Sequence, residues 1–231
     1  MINLNTKLKN KIFFNYNFQV SNFKESLKKL INNKKNGKTN YVSISVSHGI
    51  AFNKKKFANW RKKQENIFDN IIGNLGIHYI ELMVSLYGKI KSIKIIHKNN
   101  SNTKSLDTGF VSIEFKKDII VNMYLSYART FEQSINFYLT NSIIKVANNE
   151  INYFSPRDTY DKSGKFCIPK LQKKILLKDM QYDSLVSSIV FFKNIIKVNK
   201  KIKISSFDSC LYVNKILLDN SLSFKKYNNK L

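Results

Sequence analysis

The 231 residues carry 40 lysines and arginines against 15 acids, a formal charge of +25, with 43% apolar residues and 2 cysteines. The apolar share excludes a disordered chain, and the length supports a core without disulfides; no apolar run approaches the roughly twenty residues of a membrane span. The charge invites a nucleic-acid reading, but only Arg61, Arg129 and Arg157 have the planar fork that grips phosphate in pairs, and the lysines run evenly with asparagine and isoleucine, as an AT-rich coding bias would leave them.

From the N-terminus, MINLNTKLKNKIFF has neither the apolar core nor the small-residue cleavage site of a signal peptide. IFFNYNF (12–18) reads as an aromatic-rich strand. Asn22 followed by Glu25 predicts a capping box, and a helix to about Asn33 with Phe23, Leu27, Leu30 and Ile31 on one side and Gly37 closing it. YVSISVS (41–47) alternates as a half-buried strand. A lysine-rich loop and NWRKKQ precede a long apolar helix that ends at Gly88. Strands follow at Lys91–His97, Gly109–Phe115, Ile119–Tyr127, Ser134–Thr140 and Ser142–Val146, on short turns that predict antiparallel pairing. Residues 155–178, with Pro156 and Pro169, read as a surface excursion. Two amphipathic helices close the chain, Asp179 to about Ile196 and Ser206 to about Asn220, the second capped by Ser206 or Asp208. The pattern is α+β: an open, mainly antiparallel sheet with helices packed on one face.

Several chemistries are absent from the sequence. No GxGxxG or GxxxxGK[ST] cradles a phosphate, and no GxSxG or HExxH is present. Cys167 and Cys210 stand alone, so neither a zinc site nor a disulfide is called for, and a reduced cytoplasmic protein follows. His48 and His97 end strands and read as surface residues. His78 is different. It lies inside the apolar helix IFDNIIGNLGIHYIELMVSLYG, four residues after Asn74 and therefore on the same face. Such a pair is either a site or a hydrogen-bonded core pair. Gly73 and Gly76 beside it would let a backbone or ligand come close. Trp60-Arg61 joins the one tryptophan to one of three arginines; it is either a packing ring beside an exposed charge or an aromatic wall with a fork for a sugar or carboxylate.

The order of these pieces resembles the glucose–fructose oxidoreductase, inositol dehydrogenase and MocA family (Gfo/Idh/MocA) from its middle onward. IFFNYNF is similar to that family's "v-nyrf" strand, and NWRKK to its "WR" element. NLGIHYIEL with SLYG fits the second half of GGG-x-x-x-D-x-G-x-H-x-x-D and its "llG". DTGFVSIEFKKDIIVNMYLSYA resembles the "DTa…l.F.ng" hairpin. The triple glycine would fall at Phe68-Asp69-Asn70 and is absent, and Glu81 sits near the family's second acid. The resemblance implies residues 1–36 as a residual strand–helix of a truncated Rossmann domain and 37–231 as the substrate and oligomerisation domain. It implies His78 as the residue of proton transfer, with Asn74, where the family has an aspartate, holding the sugar. Trp60, Arg61, Tyr16 and Asn17 would line the same cleft. NAD(P) is implied for a complete enzyme, with none bound by this chain alone, because the family's GxGxxG turn and EKP segment lie before the point where this sequence starts. Expected partners are a sugar or nucleotide-sugar, a separate Rossmann-domain polypeptide and further copies of the chain through the sheet, with no nucleic acid or membrane. The alternative is a non-catalytic sugar-binding or assembly subunit on the same fold.

Overall fold

The computed structural model describes residues 12–53, 55, 57, 67–101, 105–178, 180–198 and 204–220. Among them, eight strands form one sheet: β1 (Thr39–Ser47), β2 (Ile90–Lys98), β3 (Thr108–Phe115), β4 (Ile120–Ser126), β5 (Glu132–Leu139), β6 (Ser142–Ala147), β7 (Glu150–Phe154) and β8 (Leu171–Leu176). Their order is β2-β3-β4-β1-β5-β6-β7-β8. Every neighbouring pair is antiparallel except β1 and β4, which run parallel from Tyr41 beside Ile120 to Ser47 beside Ser126. Four helices accompany the sheet: α1 (Asn22–Ile31), α2 (Ile77–Tyr87), α3 (Met180–Lys197) and α4 (Ile204–Asp219).

Alternation along the strands sorts the sheet into two faces. Val42, Ile44 and Val46 of β1 join Val121, Met123 and Leu125 of β4 in the core. The opposite face is open. It carries a polar ladder, Lys94–Ser112–Asn122–Ser43–Asn136–Lys145, flanked by exposed Ile96, Phe110, Ile120 and Tyr138.

Helix α2 is apolar nearly all round because it is covered on both sides: the sheet below and α4 above. Two glycines set the approach to the sheet. A Cβ on Gly76 would sit 2.7 Å from Leu125 Cδ1, and one on Gly109 2.6 Å from Ile72 Cδ1. Of the two close approaches the sequence left open at Gly76, a neighbouring chain segment or a ligand, the sheet supplies the first.

Other expectations need correction. Residues 12–16 form no strand, and 17–20 form a turn. The aromatics of this segment find ring partners instead of a strand neighbour: Phe14 packs on Phe207 at 5.5 Å, and Phe18 on Tyr79 at 5.2 Å. The cap of α1 is Ser21, one residue before Asn22, with its Oγ accepting from the Lys24 N–H at 3.2 Å. Gly37 closes a separate 3₁₀ turn, Lys34–Asn36, not α1 itself. Ser206 and Asp208 lie inside α4, so neither caps it. The surface excursion contains β8, an edge strand whose side chains are almost all exposed.

Helix α3 is turned inside out. Met180, Ser184 and Ser188 are buried, while Leu185, Val186, Ile189, Val190, Phe192 and Ile196 are between 38% and 63% exposed. Phe13 rests against this helix, 5.5 and 5.8 Å from the rings of Phe191 and Phe192.

Candidate functional site at the carboxyl edge of the parallel pair

The chain between the parallel strands β1 and β4 contains α2, so both strands end where that helix begins. Carboxyl ends of parallel strands are where α/β sheets commonly receive ligands. His48 follows β1, and Tyr127 follows β4. The His48 ring lies 4.9 Å from that of Tyr127, and the His48 N–H donates to Ser126 O at 2.9 Å.

Asn74 reaches this edge through a π turn, Ile72–Gly76, that leads into α2. Such turns inside α-helices are frequent at functional sites. Asn70 supports it: its Oδ1 accepts from the N–H groups of Ile72 (2.9 Å) and Gly73 (3.1 Å). This is one of the positions where the resemblance would have placed glycine. The Tyr127 hydroxyl donates to Asn74 Oδ1 at 2.7 Å.

One turn along, His78 meets the irregular segment before α1. The Asn17 backbone N–H donates to His78 Nδ1 at 3.3 Å, and the Tyr16 ring stands edge-on to the imidazole at 5.7 Å. Burial holds the His78 pKa down at about 4, so the ring is neutral at physiological pH. Tyr16 is pushed up, first by burial and then by the neighbouring Cys210. Its hydroxyl accepts from Asn214 Nδ2.

Glu81, three residues after His78, is buried, and its Oε2 has no hydrogen-bond partner among the described residues. Burial raises its pKa, with Lys24 pulling the other way. Beside it the Cys210 thiol, also desolvated, is pushed up to about 12 and accepts from Gln19 Nε2 at 3.5 Å. Desolvation thus favours the neutral form of both groups.

The structure brings together four of the six candidates: His78, Asn74, Tyr16 and Asn17. Trp60 and Arg61 lie outside the described residues. Tyr127 and His48 are the residues that sequence reasoning missed. The signal for Tyr127 was a phenol at the end of the apolar stripe Ile119–Val121–Met123–Leu125, where a strand finishes its core face. His97, expected at the surface, is buried, and burial lowers its pKa to about 4. The aspartate of the DT pair anchors a loop: Asp107 accepts from the N–H groups of Asn100 and Ser101, each at 3.0 Å. Among the described residues no cluster of three His, Cys, Asp or Glu could hold a metal, and no helix is long and apolar enough to cross a membrane.

A family model described as the GFO/IDH/MocA C-terminal domain matches residues 25–145, more than half of the chain. The chain belongs to the GFO/IDH/MocA family. Its match covers most of α1 and runs on into β6, with Asn74, His78 and Tyr127 inside it. No curated protein matches. Among solved structures, an oxidoreductase from Thermotoga maritima superposes with a TM-score of 0.69 at 17% identity, over 89% of this chain and 58% of that one. The UDP-N-acetylglucosamine 3-dehydrogenase from Acidithiobacillus ferrooxidans gives 0.64 at 16%, over 90% and 60%. An oxidoreductase from Agrobacterium radiobacter, solved with NAD+, L-tartaric acid and magnesium, gives 0.60 at 13%, over 89% and 62%. These likenesses show the fold. The chain spans about three fifths of the solved structures it matches.

At two helix starts of this GFO/IDH/MocA chain, those of α1 and α2, backbone N–H groups that could meet a pyrophosphate are already bonded within the chain. A pyrophosphate needs a glycine-rich turn and open N–H groups at a helix start. At α1 the Lys24 N–H is taken by Ser21, and at the entry to α2 the Ile72 and Gly73 N–H groups are taken by Asn70.

Proposed function

We propose that this chain is the substrate-holding part of an NAD(P)-dependent sugar or nucleotide-sugar oxidoreductase, with the dinucleotide held by a separate Rossmann-domain polypeptide. The observation that carries this is the polar cluster at the carboxyl edge of β1 and β4. Asn74 and His78 project from a helix packed apolar on both other sides, and Tyr127, Tyr16 and Asn17 fix their orientation. In this reading His78 stands at the substrate oxygen that gains or loses the proton, and Asn74, Tyr16 and Asn17, with Trp60 and Arg61, hold the sugar. Residues 1–36 are the seam to the dinucleotide domain, and 37–231 are the substrate domain. The apolar outer face of α3, on which Phe13 rests, is where that domain docks; the relatives' additional two fifths of chain is of the size required. The open sheet face, with Ile96, Phe110, Ile120 and Tyr138 exposed, is the contact between copies.

A second reading, a sugar-binding or assembly subunit without catalysis, is favoured by one observation: an amide at position 74 cannot raise the basicity of His78 as a carboxylate would.

The test is a titration of the purified chain with UDP-N-acetylglucosamine and, separately, with NADH and NADPH, followed by backbone amide NMR. The expected result is a shift at Asn74 and His78 with the sugar nucleotide and none with either dinucleotide. Dinucleotide binding with turnover would overturn the division of labour. Turnover on adding a dinucleotide-binding partner, lost in His78→Ala with the oligomer intact, separates the enzyme from the binding subunit.

A further inference from the structure

The segments that leave β1 and β4 enclose an open cavity of about 540 Å³, lined by Gly49, Phe52, Ala128, Arg129, Thr130 and Phe131. Small-ligand sites run from about 300 to 1,000 Å³, and the carboxyl ends of parallel strands are where they gather. The walls are laced together: the Ala51 N–H donates to Tyr127 O at 2.9 Å, and the Ser47 hydroxyl to Thr130 O at 2.6 Å. His48 and Tyr127 each precede a lining residue, Gly49 and Ala128, and the Tyr127 hydroxyl reaches Asn74, so the cavity adjoins the polar edge of α2.

Arg129 is held at one nitrogen. Its Nε donates to the Tyr124 hydroxyl at 3.3 Å, and its two terminal nitrogens have no partner among the described residues. The neighbouring acid, Glu132, accepts from the Ser134 hydroxyl at 3.0 Å instead. A fork with both ends free matches two oxygens of one phosphate. Phe52 and Phe131 are 62% and 77% exposed with no ring partner among the described residues, whereas the exposed Phe110, Phe166 and Phe192 each pack on another ring. Free phenyl faces beside a positive fork suit a flat base joined to phosphate.

We infer that this cavity takes the nucleotide end of a nucleotide-sugar, with a phosphate on the fork of Arg129 and the base against Phe131 and Phe52. The inference rests on the sugar-site reading above and narrows its substrate from sugars at large to nucleotide-sugars, whose sugar end lies at Asn74 and His78. A bare sugar has no charge for the fork to meet. A second copy of the chain would bring more positive charge to it, since the molecule carries +25. A pyridine dinucleotide joins phosphate and ring in the same way, and the experiment separates the two sources.

The experiment titrates the full chain with UDP, UDP-N-acetylglucosamine, N-acetylglucosamine and NADH, read by calorimetry and by backbone amide NMR. Every base has a π face, so UDP serves as the probe of the cavity. UDP is expected to shift Arg129 and Phe131, and UDP-N-acetylglucosamine to shift these together with Asn74 and His78. The nucleotide-sugar should bind at least about tenfold tighter than the bare sugar, and Arg129→Gln and Phe131→Ser should each weaken UDP by about tenfold. Both side chains are exposed, so neither variant removes a buried contact. UDP binding unchanged in both variants overturns the inference. Shifts at Asn74 and His78 with the bare sugar, and none at Arg129 and Phe131 with UDP, overturn it and leave the sugar site standing. Shifts at Arg129 and Phe131 with NADH and not with UDP overturn it in favour of the dinucleotide. Binding of none of the four overturns the sugar site and the inference with it.

Discussion

Helices α2 and α3 are both rich in apolar residues and use them in opposite ways. Helix α2 buries them on two sides, pressed to the sheet at Gly76 and covered by α4, and keeps its one polar edge for Asn74, His78 and Glu81. Helix α3 buries serines and turns leucine, isoleucine and phenylalanine outward. Apolar surface kept in water forgoes the free energy that burial would return. The first helix is complete within this chain; the second has the composition of a helix whose partner is elsewhere.

The largest effect that would sharpen this contrast is expected at Gly76. Gly76→Val adds a branched Cβ that would stand only 2.7 Å from Leu125 Cδ1. Overpacking at a helix–sheet seam costs about 3 kcal/mol. Urea unfolding should show that loss. A loss under about 1 kcal/mol would mean that α2 is held less tightly than its glycines imply.

Two buried histidines, one on α2 and one on β2, and the buried Glu81 give pH effects of opposite sign. His78 and His97 have folded pKa values near 4, below the ordinary 6.5. The unfolded chain then binds more protons between those values, so stability is lost as pH falls from about 6.5 to 4, by at most about 3 kcal/mol per ring. His78→Gln should flatten that slope by its own share. Glu81 is raised, so its contribution is present at low pH and lost as pH rises through its folded value. Glu81→Gln should remove this loss and leave the acid limb unchanged. Thermal melts from pH 4 to 8 on the three proteins would show both; an unchanged acid limb in His78→Gln would mean that His97 alone carries it.

How much of this was legible follows from the physics of each signal. Period-2 alternation located β1 and the strands from β2 to β6 to within a residue or two, because a sheet with one buried face forces it. The edge strand β8, LQKKIL, has almost no buried face and so no alternation to read. IFFNYNF had strand composition, but its rings are partnered by Phe207 and Tyr79 from far along the chain, which no local window contains. The Asn74–His78 pair was readable from helical spacing. Its polarity was not, because that depends on Tyr127 and on the Asn17 backbone, 53 and 61 residues away.

The smallest effect is the one most able to break the comparison. Ile189 and Ile196 on α3 are 59% and 63% exposed. If their outward face has no cover within the chain, replacing both with lysine removes no buried contact, and surface substitutions of that kind stay within about 0.5 kcal/mol. The double variant Ile189→Lys, Ile196→Lys should therefore unfold at the same urea concentration as the parent, and it should fail to bind a dinucleotide-domain partner that the parent captures. A loss of about 2 kcal/mol or more would show that residues of this same chain lie over the helix. Helix α3 would then be as complete as α2, and the docking face would have to be sought on the open side of the sheet, where Phe110 and Ile120 stand exposed.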